Sequence, residues 1–341
     1  MTRDEYIVNL EKALLDAKKG QKYIEICLNY ARKLQNVGMP VIFDKRHLAG
    51  LLGMNLADLA ALLYIDSNSL YTIKAIPKRN GTKRQIVIPC VLLKYIQRWV
   101  LDNILYKIPI SHHATGFRKE SSILQNAQVH TFQECVINID LKDFFPTITI
   151  DDVFRIFNYY GYTKEVSYTL AKLCTFDGVV PQGSPASPCI SNIACLKLDK
   201  RLSQLAKNYH AQYTRYADDM TFSGLREIAN MVPIICSIIE DEGFKVNKEK
   251  LRISFQHQRQ EVTGLIVNGA CVRVSKDYKR KLQQEIYYCK KYGPYNHQEQ
   301  INDHHAFFKE HLYGKAYYVY MIEPVLGAKM LAELDEVNWD Y

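Results

Sequence analysis

A strand, turn and strand pattern spans Gln212 to Ser223, and its turn is Tyr216-Ala217-Asp218-Asp219. Short strand patterns on both sides of a tight turn predict an antiparallel hairpin. Two adjacent aspartates at the tip of a hairpin would repel each other unless a cation neutralises them. The segment therefore predicts a hairpin that presents carboxylates to a metal ion, although the dipeptide alone is also compatible with a solvated turn.

A second strand pattern, Cys135 to Asp140, is apolar and also ends in a carboxylate. We expect Asp140, Asp218 and Asp219 to converge in one site. Oxygen ligands of this kind suit Mg²⁺, which prefers a few carboxylates together with substrate phosphates. Two such ions, about 3.5 to 4 Å apart, would activate a hydroxyl and stabilise leaving pyrophosphate in a nucleotidyl transfer.

The composition is that of a folded protein of one large domain or two domains. The chain has 341 residues, 48% of them hydrophobic and 23% charged, and its net charge of +8 favours contact with polyanions. Its nine cysteines form no C-x-x-C pair, which argues against a disulfide framework and a zinc ribbon. The longest apolar stretch, Leu48 to Ile65, is interrupted by polar residues, and no secretory signal is visible, so we expect a cytoplasmic protein that does not cross a membrane.

The remaining patterns predict a mixed α+β protein. Apolar residues recur at helical spacing through the first 65 residues, and helices return after Ser275. Leu70 to Ile76 and Arg84 to Ile88 alternate like two strands around a basic turn, Pro77 to Lys83. Val262 to Val267 has the pattern of a further strand.

Five segments in this order closely resemble a reverse transcriptase. They are Asn138-Ile139-Asp140-Leu141-Lys142-Asp143-Phe144-Phe145, Pro181-Gln182-Gly183-Ser184-Pro185, Tyr216-Ala217-Asp218-Asp219, Asn247-Lys248-Glu249-Lys250 and Val262-Thr263-Gly264. Two elements resemble the retron branch of that family: the N-A-x-x-H element at Asn126 to His130, and the V-T-G element at Val262 to Gly264. The resemblance runs motif by motif from about Leu70 to Gly269.

The resemblance implies a right-hand polymerase with fingers, a palm and a helical thumb. The expected divisions are an N-terminal helical region at 1–65, fingers at 66–135, a palm at 136–270 with a fingers insertion around 150–180, and an RNA-binding thumb at 271–341. The implied activity is RNA-directed DNA synthesis from dNTPs. A retron enzyme uses its cognate structured noncoding RNA as template and primer, starts from a 2′-hydroxyl of an internal guanosine, and leaves branched RNA-linked single-stranded DNA (msDNA). The family also implies antiphage defence together with an effector protein.

The resemblance further implies roles for residues at the catalytic centre. Asp140 and Asp218 would be the principal ligands of two Mg²⁺ ions, with Asp219 assisting and the carbonyl of Leu141 reaching one ion. Lys250 could protonate the departing pyrophosphate. The threonine that usually follows this lysine is Leu251 here.

Other residues match the family's positions for the incoming nucleotide and for RNA. Phe145 would exclude a 2′-hydroxyl, Gln182 would line the nucleotide, and Lys83 with Arg84 would bind the triphosphate. Asn126 and His130 lie four apart on a predicted helix, hence on one face, and could contact RNA or hold the neighbouring strand. Thr263 would shape the backbone or contact template RNA.

Other functions remain open at this stage. One is another small bacterial reverse transcriptase, of the intron-encoded or abortive-infection type. Intron-encoded enzymes usually carry an added maturase or endonuclease part, and the roughly 70 residues after Gly269 are expected to be too few for one. Another is an RNA-binding scaffold with an inactive palm, which the three retained aspartates argue against. An RNA-directed RNA polymerase is disfavoured by Phe145 and by Ala217 before Asp218.

Overall fold

A computed structural model of the chain describes residues 3–77, 81, 83–302 and 307–339. Most of the basic turn expected between the first two strands, residues 78–80 and 82, lies outside the described residues. The chain divides into two compact units, each built from separate segments. Unit 1 comprises Met1–Arg118, Leu141–Leu202 and Ile235–Asn247; unit 2 comprises Lys119–Asp140, Ser203–Ile234 and Lys248–Tyr341. The division into fingers, palm and thumb stays a prediction.

The chain contains both helices and strands, as the sequence patterns predict. The first half contains α1 (Arg3–Asp16), α2 (Gln21–Asn36), α3 (Lys45–Leu51), α4 (Leu56–Tyr64), β1 (Tyr71–Pro77), β2 (Lys83–Pro89), α5 (Val91–Asn103), α6 (Ile123–Gln128), β3 (Cys135–Lys142), α7 (Phe144–Thr147), α8 (Ile150–Tyr159) and α9 (Lys164–Cys174). The second half contains α10 (Ser187–Ala194), α11 (Leu196–Asn208), β4 (Gln212–Tyr216), β5 (Asp219–Gly224), α12 (Val232–Asp241), β6 (Lys245–Val246), β7 (Arg252–Phe255), β8 (Glu261–Val262), β9 (Leu265–Ile266), α13 (Lys276–Tyr292), α14 (Pro294–Ile301), α15 (Phe308–Ile322) and α16 (Pro324–Asp335).

An antiparallel sheet in unit 2 has the order β4, β5, β3, β7. Strand β3 is one of the two inner strands, and six of its eight residues are buried, as the apolar pattern from Cys135 predicts. The last two residues of β3 belong to unit 1, where Leu141 and Lys142 pair with β6. The sheet therefore places Asp140 of β3 beside the hairpin formed by β4 and β5.

Unit 1 contains the hairpin of β1 and β2, which pairs Tyr71 with Pro89 and Pro77 with Lys83. The alternating pattern in the sequence predicted this hairpin correctly. The amide of Val87 in β2 donates to the carbonyl of Gln182 at 2.7 Å, so the loop that begins at Pro181 continues the hydrogen bonding of the hairpin. This bond fixes the position of Gln182 relative to β2.

The strand predicted from Val262 to Val267 is instead a short hairpin of β8 and β9. Thr263 and Gly264 form its turn, with φ of 47° and 84°. Left-handed conformations at both central residues are typical of the two-residue turns that join antiparallel strands. The turn reverses the chain within what reads as one apolar run.

The C-terminal helices α13, α15 and α16 pack around an apolar core in unit 2. Helices α15 and α16 approach closely at Gly327, where a side chain would overlap the backbone of Tyr320. In the described part of the chain, no single helix is long and apolar enough to cross a membrane. Helices α3 and α4 reach that length and apolar composition only when taken together, and they are bent by 111° relative to each other.

Candidate active site

The expected aspartates lie at adjacent strand ends in unit 2. The register of β3 and β5 sets Asp140 opposite Asp219. The register of β4 and β5 sets Tyr216 opposite Asp219, so Ala217 and Asp218 form the turn between these strands. Two distant segments of the sequence therefore bring three carboxylates to the same end of the sheet, as predicted.

Their electrostatics show the repulsion that the sequence analysis expects. The pKa of Asp219 is raised to about 6, first by desolvation and then by the charges of Asp218 and Asp140, while Lys250 lowers it. Asp219 keeps exposed surface, but the protein packed around it removes part of its hydration. Lys250 lies 2.8 Å from Asp140, between Nζ and Oδ1. The Lys250 ammonium thus supplies positive charge beside the carboxylates.

The arrangement differs in one respect from the expected metal site. Among the described residues, no group of three or more His, Cys, Asp or Glu side chains has the geometry to hold a metal ion. One oxygen of Asp140 accepts a hydrogen bond from Lys250. The donor chemistry still fits a divalent cation, because the carboxylates offer only oxygen. Burial, and then the charges of Asp218 and Asp140, raise the pKa of Asp219.

A cavity of about 530 Å³ opens on the face of the sheet that carries Asp140 and Asp219. Lys250, Arg252 and Arg259 line it together with polar side chains and the turn at Gly264. Its size falls in the range of about 300 to 1,000 Å³ that is typical of sites for small ligands. The cavity lies directly beside the carboxylates and is lined by three cations.

The residues expected to bind the incoming nucleotide lie in unit 1. Lys83 and Arg84 are exposed at the start of β2, and Leu141, at the end of β3, is buried and paired with Val246. Gln182 is joined to β2 through Val87. The structure therefore links Gln182 to the hairpin that carries the two cations.

Phe145 is half-buried, with ring centroids 6.0 Å from Phe117 and 5.3 Å from Phe144. Phe144 belongs to the core and contacts Phe244 at 5.9 Å. The two neighbouring rings thus have different environments: Phe144 is a core residue, and Phe145 is partly exposed.

Asn126 and His130 are buried, with 1% and 0% of their surface exposed. The expectation that they share a helix face is corrected, because α6 ends at Gln128 and His130 follows it. The ring nitrogens of His130 lie 2.7 Å from the hydroxyls of Ser223 and Thr214. A side chain without exposed surface cannot contact RNA in this conformation, so the geometry supports the other role considered for His130, holding the neighbouring strands.

Thr263 occupies the turn of β8 and β9 and lines the cavity. Its φ of 47° is uncommon for a β-branched residue, and its hydroxyl donates to the carbonyl of Ile123 at 3.4 Å. This geometry supports the backbone-shaping role of Thr263.

Sequence reasoning missed two arginines of unit 2. Arg215 in β4 is completely buried beside the turn, and Arg252 in β7 lines the cavity. A cation within a short buried strand pattern is the signal that could have identified Arg215. No local signal identifies Arg252, because its position depends on the pairing of β7 with β3.

The comparisons with known proteins show the family of this chain. The sequence model of the family "Reverse transcriptase (RNA-dependent DNA polymerase)" matches residues 76–268. The chain is 36% identical to the retron Mx162 reverse transcriptase of Myxococcus xanthus, over 88% of this chain and 68% of that protein. It is 35% identical to the retron Ec86 reverse transcriptase of Escherichia coli, over 75% of this chain and 81% of that protein.

Among solved structures, telomerase from Candida albicans in complex with a fragment of telomeric RNA aligns with a TM-score of 0.46 and 12% identity. The alignment covers 78% of this chain and 63% of that chain.

Proposed function

This chain belongs to the retron-type reverse transcriptases and is an RNA-directed DNA polymerase, and we propose that it makes branched, RNA-linked single-stranded DNA. Its template and primer are a cognate structured noncoding RNA, and the first nucleotide joins a 2′-hydroxyl of an internal guanosine. The product serves bacterial antiphage defence together with an effector protein. The reaction takes place in the cytoplasm.

The observation that carries the catalytic part of the proposal is the strand register at the sheet edge. Asp140 stands opposite Asp219, and Asp218 precedes Asp219 in the turn. Bound divalent ions, two Mg²⁺ in this proposal, would activate the attacking hydroxyl and stabilise the leaving pyrophosphate. Asp140, Asp218, Asp219 and the carbonyl of Leu141 would hold them.

In the reaction the hydroxyl gives up its proton to solvent, its oxygen bonds to the α-phosphorus of the dNTP, and the bond from that phosphorus to pyrophosphate breaks. Lys250, which lies beside Asp140, donates a proton to the departing pyrophosphate. Lys83 and Arg84 bind the triphosphate, since fixed cations offset charge that develops on phosphate. Gln182 contacts the nucleotide, and Phe145 excludes a 2′-hydroxyl from it.

The predicted divisions fit these roles. The proposal places fingers at 66–135, the palm at 136–270 and an RNA-binding thumb at 271–341, with a helical region at 1–65 before them. Thr263 shapes the backbone beside the primer, and Asn126 and His130 support the palm strands rather than contact RNA directly.

The test is to express the protein together with the noncoding sequence that flanks its gene and to extract nucleic acid. We expect a short DNA whose mobility shifts after debranching and which is absent from the Asp218→Asn variant. Asp102→Asn, which changes an exposed aspartate on α5, is the matched control and should leave the DNA unchanged.

Two other results would contradict the proposal in different ways. DNA made only from an added primer and template would retain the polymerase and exclude branched priming. DNA that persists in Asp218→Asn would exclude the proposed role of the turn carboxylates.

A further inference from the structure

The cavity beside the catalytic carboxylates is lined by Arg252, which has no ionic partner among the described residues. Of the three basic residues that line it, Lys250 pairs with Asp140 at 2.8 Å and Arg259 pairs with Glu261 at 2.8 Å. Arg252 forms no ion pair or side-chain hydrogen bond within the described residues. A guanidinium in this position can bind an anion that comes from outside the protein.

The sheet register fixes where this anion would lie. Arg252 in β7 stands opposite Asn138 in β3, and directly opposed residues project from the same face of an antiparallel pair. Asn138 and Asp140 are two residues apart and also share a face. Arg252 therefore lies on the neighbouring strand. Measured along the strands, it is two residues, roughly 7 Å, from the level of Asp140.

The residues around Arg252 are held in place by the sheet and by a neighbouring turn. The side chain of Asn138 donates to the carbonyl of Glu261 at 3.2 Å, which attaches β8 to the face of the sheet. The strained turn at Thr263 and Gly264 borders the cavity. Ser254, two residues from Arg252 on the same strand, adds a hydroxyl to the lining. The cavity thus offers a guanidinium and a hydroxyl, both suited to phosphate oxygens.

Branched priming makes a specific chemical demand on such a site. A nucleotide that attacks through its 2′-oxygen remains esterified at its 3′-oxygen, so it brings a phosphodiester on its 3′ side into the catalytic site. An ordinary primer ends in a free 3′-hydroxyl and has no phosphate in that place. An enzyme that uses both substrates must accommodate the additional charge in the first reaction alone.

We propose that Arg252 binds the 3′-phosphodiester of the RNA nucleotide whose 2′-hydroxyl primes DNA synthesis, with Ser254 as a second donor. The inference rests on the branched priming proposed above. Arg252 then acts in initiation, and the cavity holds the RNA strand that continues beyond the branch.

The experiment compares initiation with elongation in the full chain. Initiation is measured as labelled dNTP joined to the noncoding RNA encoded beside the gene, and elongation as extension of a DNA primer annealed to an unrelated RNA template. For Arg252→Gln we expect a loss of about tenfold or more in initiation, the effect of one charged hydrogen bond, and little change in elongation. Arg252→Lys should retain intermediate initiation, because lysine keeps the charge but lacks the planar fork.

Arg32→Gln is the matched control, since Arg32 is an exposed arginine on α2 that does not line the cavity. It should behave like the wild type in both assays. A second control uses RNA that ends at the priming nucleotide and so lacks the 3′-phosphodiester. On this RNA, Arg252→Gln and the wild type should initiate at equal rates.

Equal losses in initiation and elongation would overturn the inference, since Arg252 would then contact any primer strand. Unchanged initiation in Arg252→Gln, or a defect that persists on the shortened RNA, would also overturn it. Failure of the proposed function gives a different result: the wild-type protein would extend the DNA primer but attach no label to its RNA.

Discussion

The guanidinium of Arg215 donates a hydrogen bond to the carbonyl oxygen of Ala217, with Nη1 and the oxygen 3.0 Å apart. Arg215 is completely buried, and Ala217 has a φ of 59°, a left-handed conformation that non-glycine residues seldom adopt. Ala217 is followed directly by Asp218 and Asp219. A buried cation thus holds the backbone of a strained turn that carries two of the three carboxylates.

We expect Arg215→Met to lower DNA synthesis and to destabilise the protein by about 1 to 3 kcal/mol, because it leaves a buried carbonyl without its donor. Ala217→Gly in the same background should restore part of the activity, since glycine adopts positive φ without strain. Primer extension and urea unfolding of the single and double variants measure both effects. If Ala217→Gly restores no activity, Arg215 acts through some contact other than this turn.

His130 should make stability depend on pH. Burial lowers its pKa to about 3, so it stays neutral in the folded protein, while in the unfolded chain it binds a proton below about 6.5. Stability from this group is complete above pH 6.5 and falls as pH decreases towards 3, by about 1.4 kcal/mol per pH unit, hence about 2 kcal/mol at pH 5. Urea unfolding at pH 7 and pH 5 measures the loss.

The variant His130→Gln should lose less stability than the wild type between these two pH values. His257→Gln is the matched control, because His257 is exposed and its replacement should keep the wild-type dependence. Identical pH dependence in His130→Gln and the wild type would show that His130 is not held neutral.

Gly183→Ala should displace the loop that carries Gln182. A Cβ at Gly183 would lie 2.5 Å from the carbonyl oxygen of Val87, and the φ of 137° is unfavourable for alanine. We expect a destabilisation of about 2 kcal/mol, as for overpacking, and a higher KM for dNTP. Gly178→Ala separates the two causes, since Gly178 has positive φ but no atom within 4 Å of the added Cβ. Equal effects in both variants would exclude the contact with Val87 as the cause.

Phe145→Val should admit ribonucleotides. A smaller side chain leaves room for a 2′-hydroxyl, so we expect the preference for dNTP over rNTP to fall by about tenfold or more, measured as the ratio of kcat/KM values. Phe144→Val tests the neighbouring core ring, and it should lower stability while leaving that ratio unchanged. An unchanged ratio in Phe145→Val would remove Phe145 from nucleotide selection.

Local patterns in the sequence were sufficient for the elements that carry the site. The hairpin around Asp218, the strand that ends near Asp140 and the hairpin of β1 and β2 all follow from alternation and turn residues, which act over a few neighbouring positions. The family motifs then identified the aspartates. Errors occurred where a boundary depended on one or two residues, as at Thr263 and at the end of α6.

Long-range pairing decided what local patterns could not. Lys250 lies against Asp140 although 110 positions separate them, and Arg252 faces the same cavity because β7 pairs with β3. Gly183 is constrained by Val87 in the same way. A residue's type and neighbours specify its strand, turn and chemistry, whereas its partner across a sheet depends on a register set by the burial of the whole core.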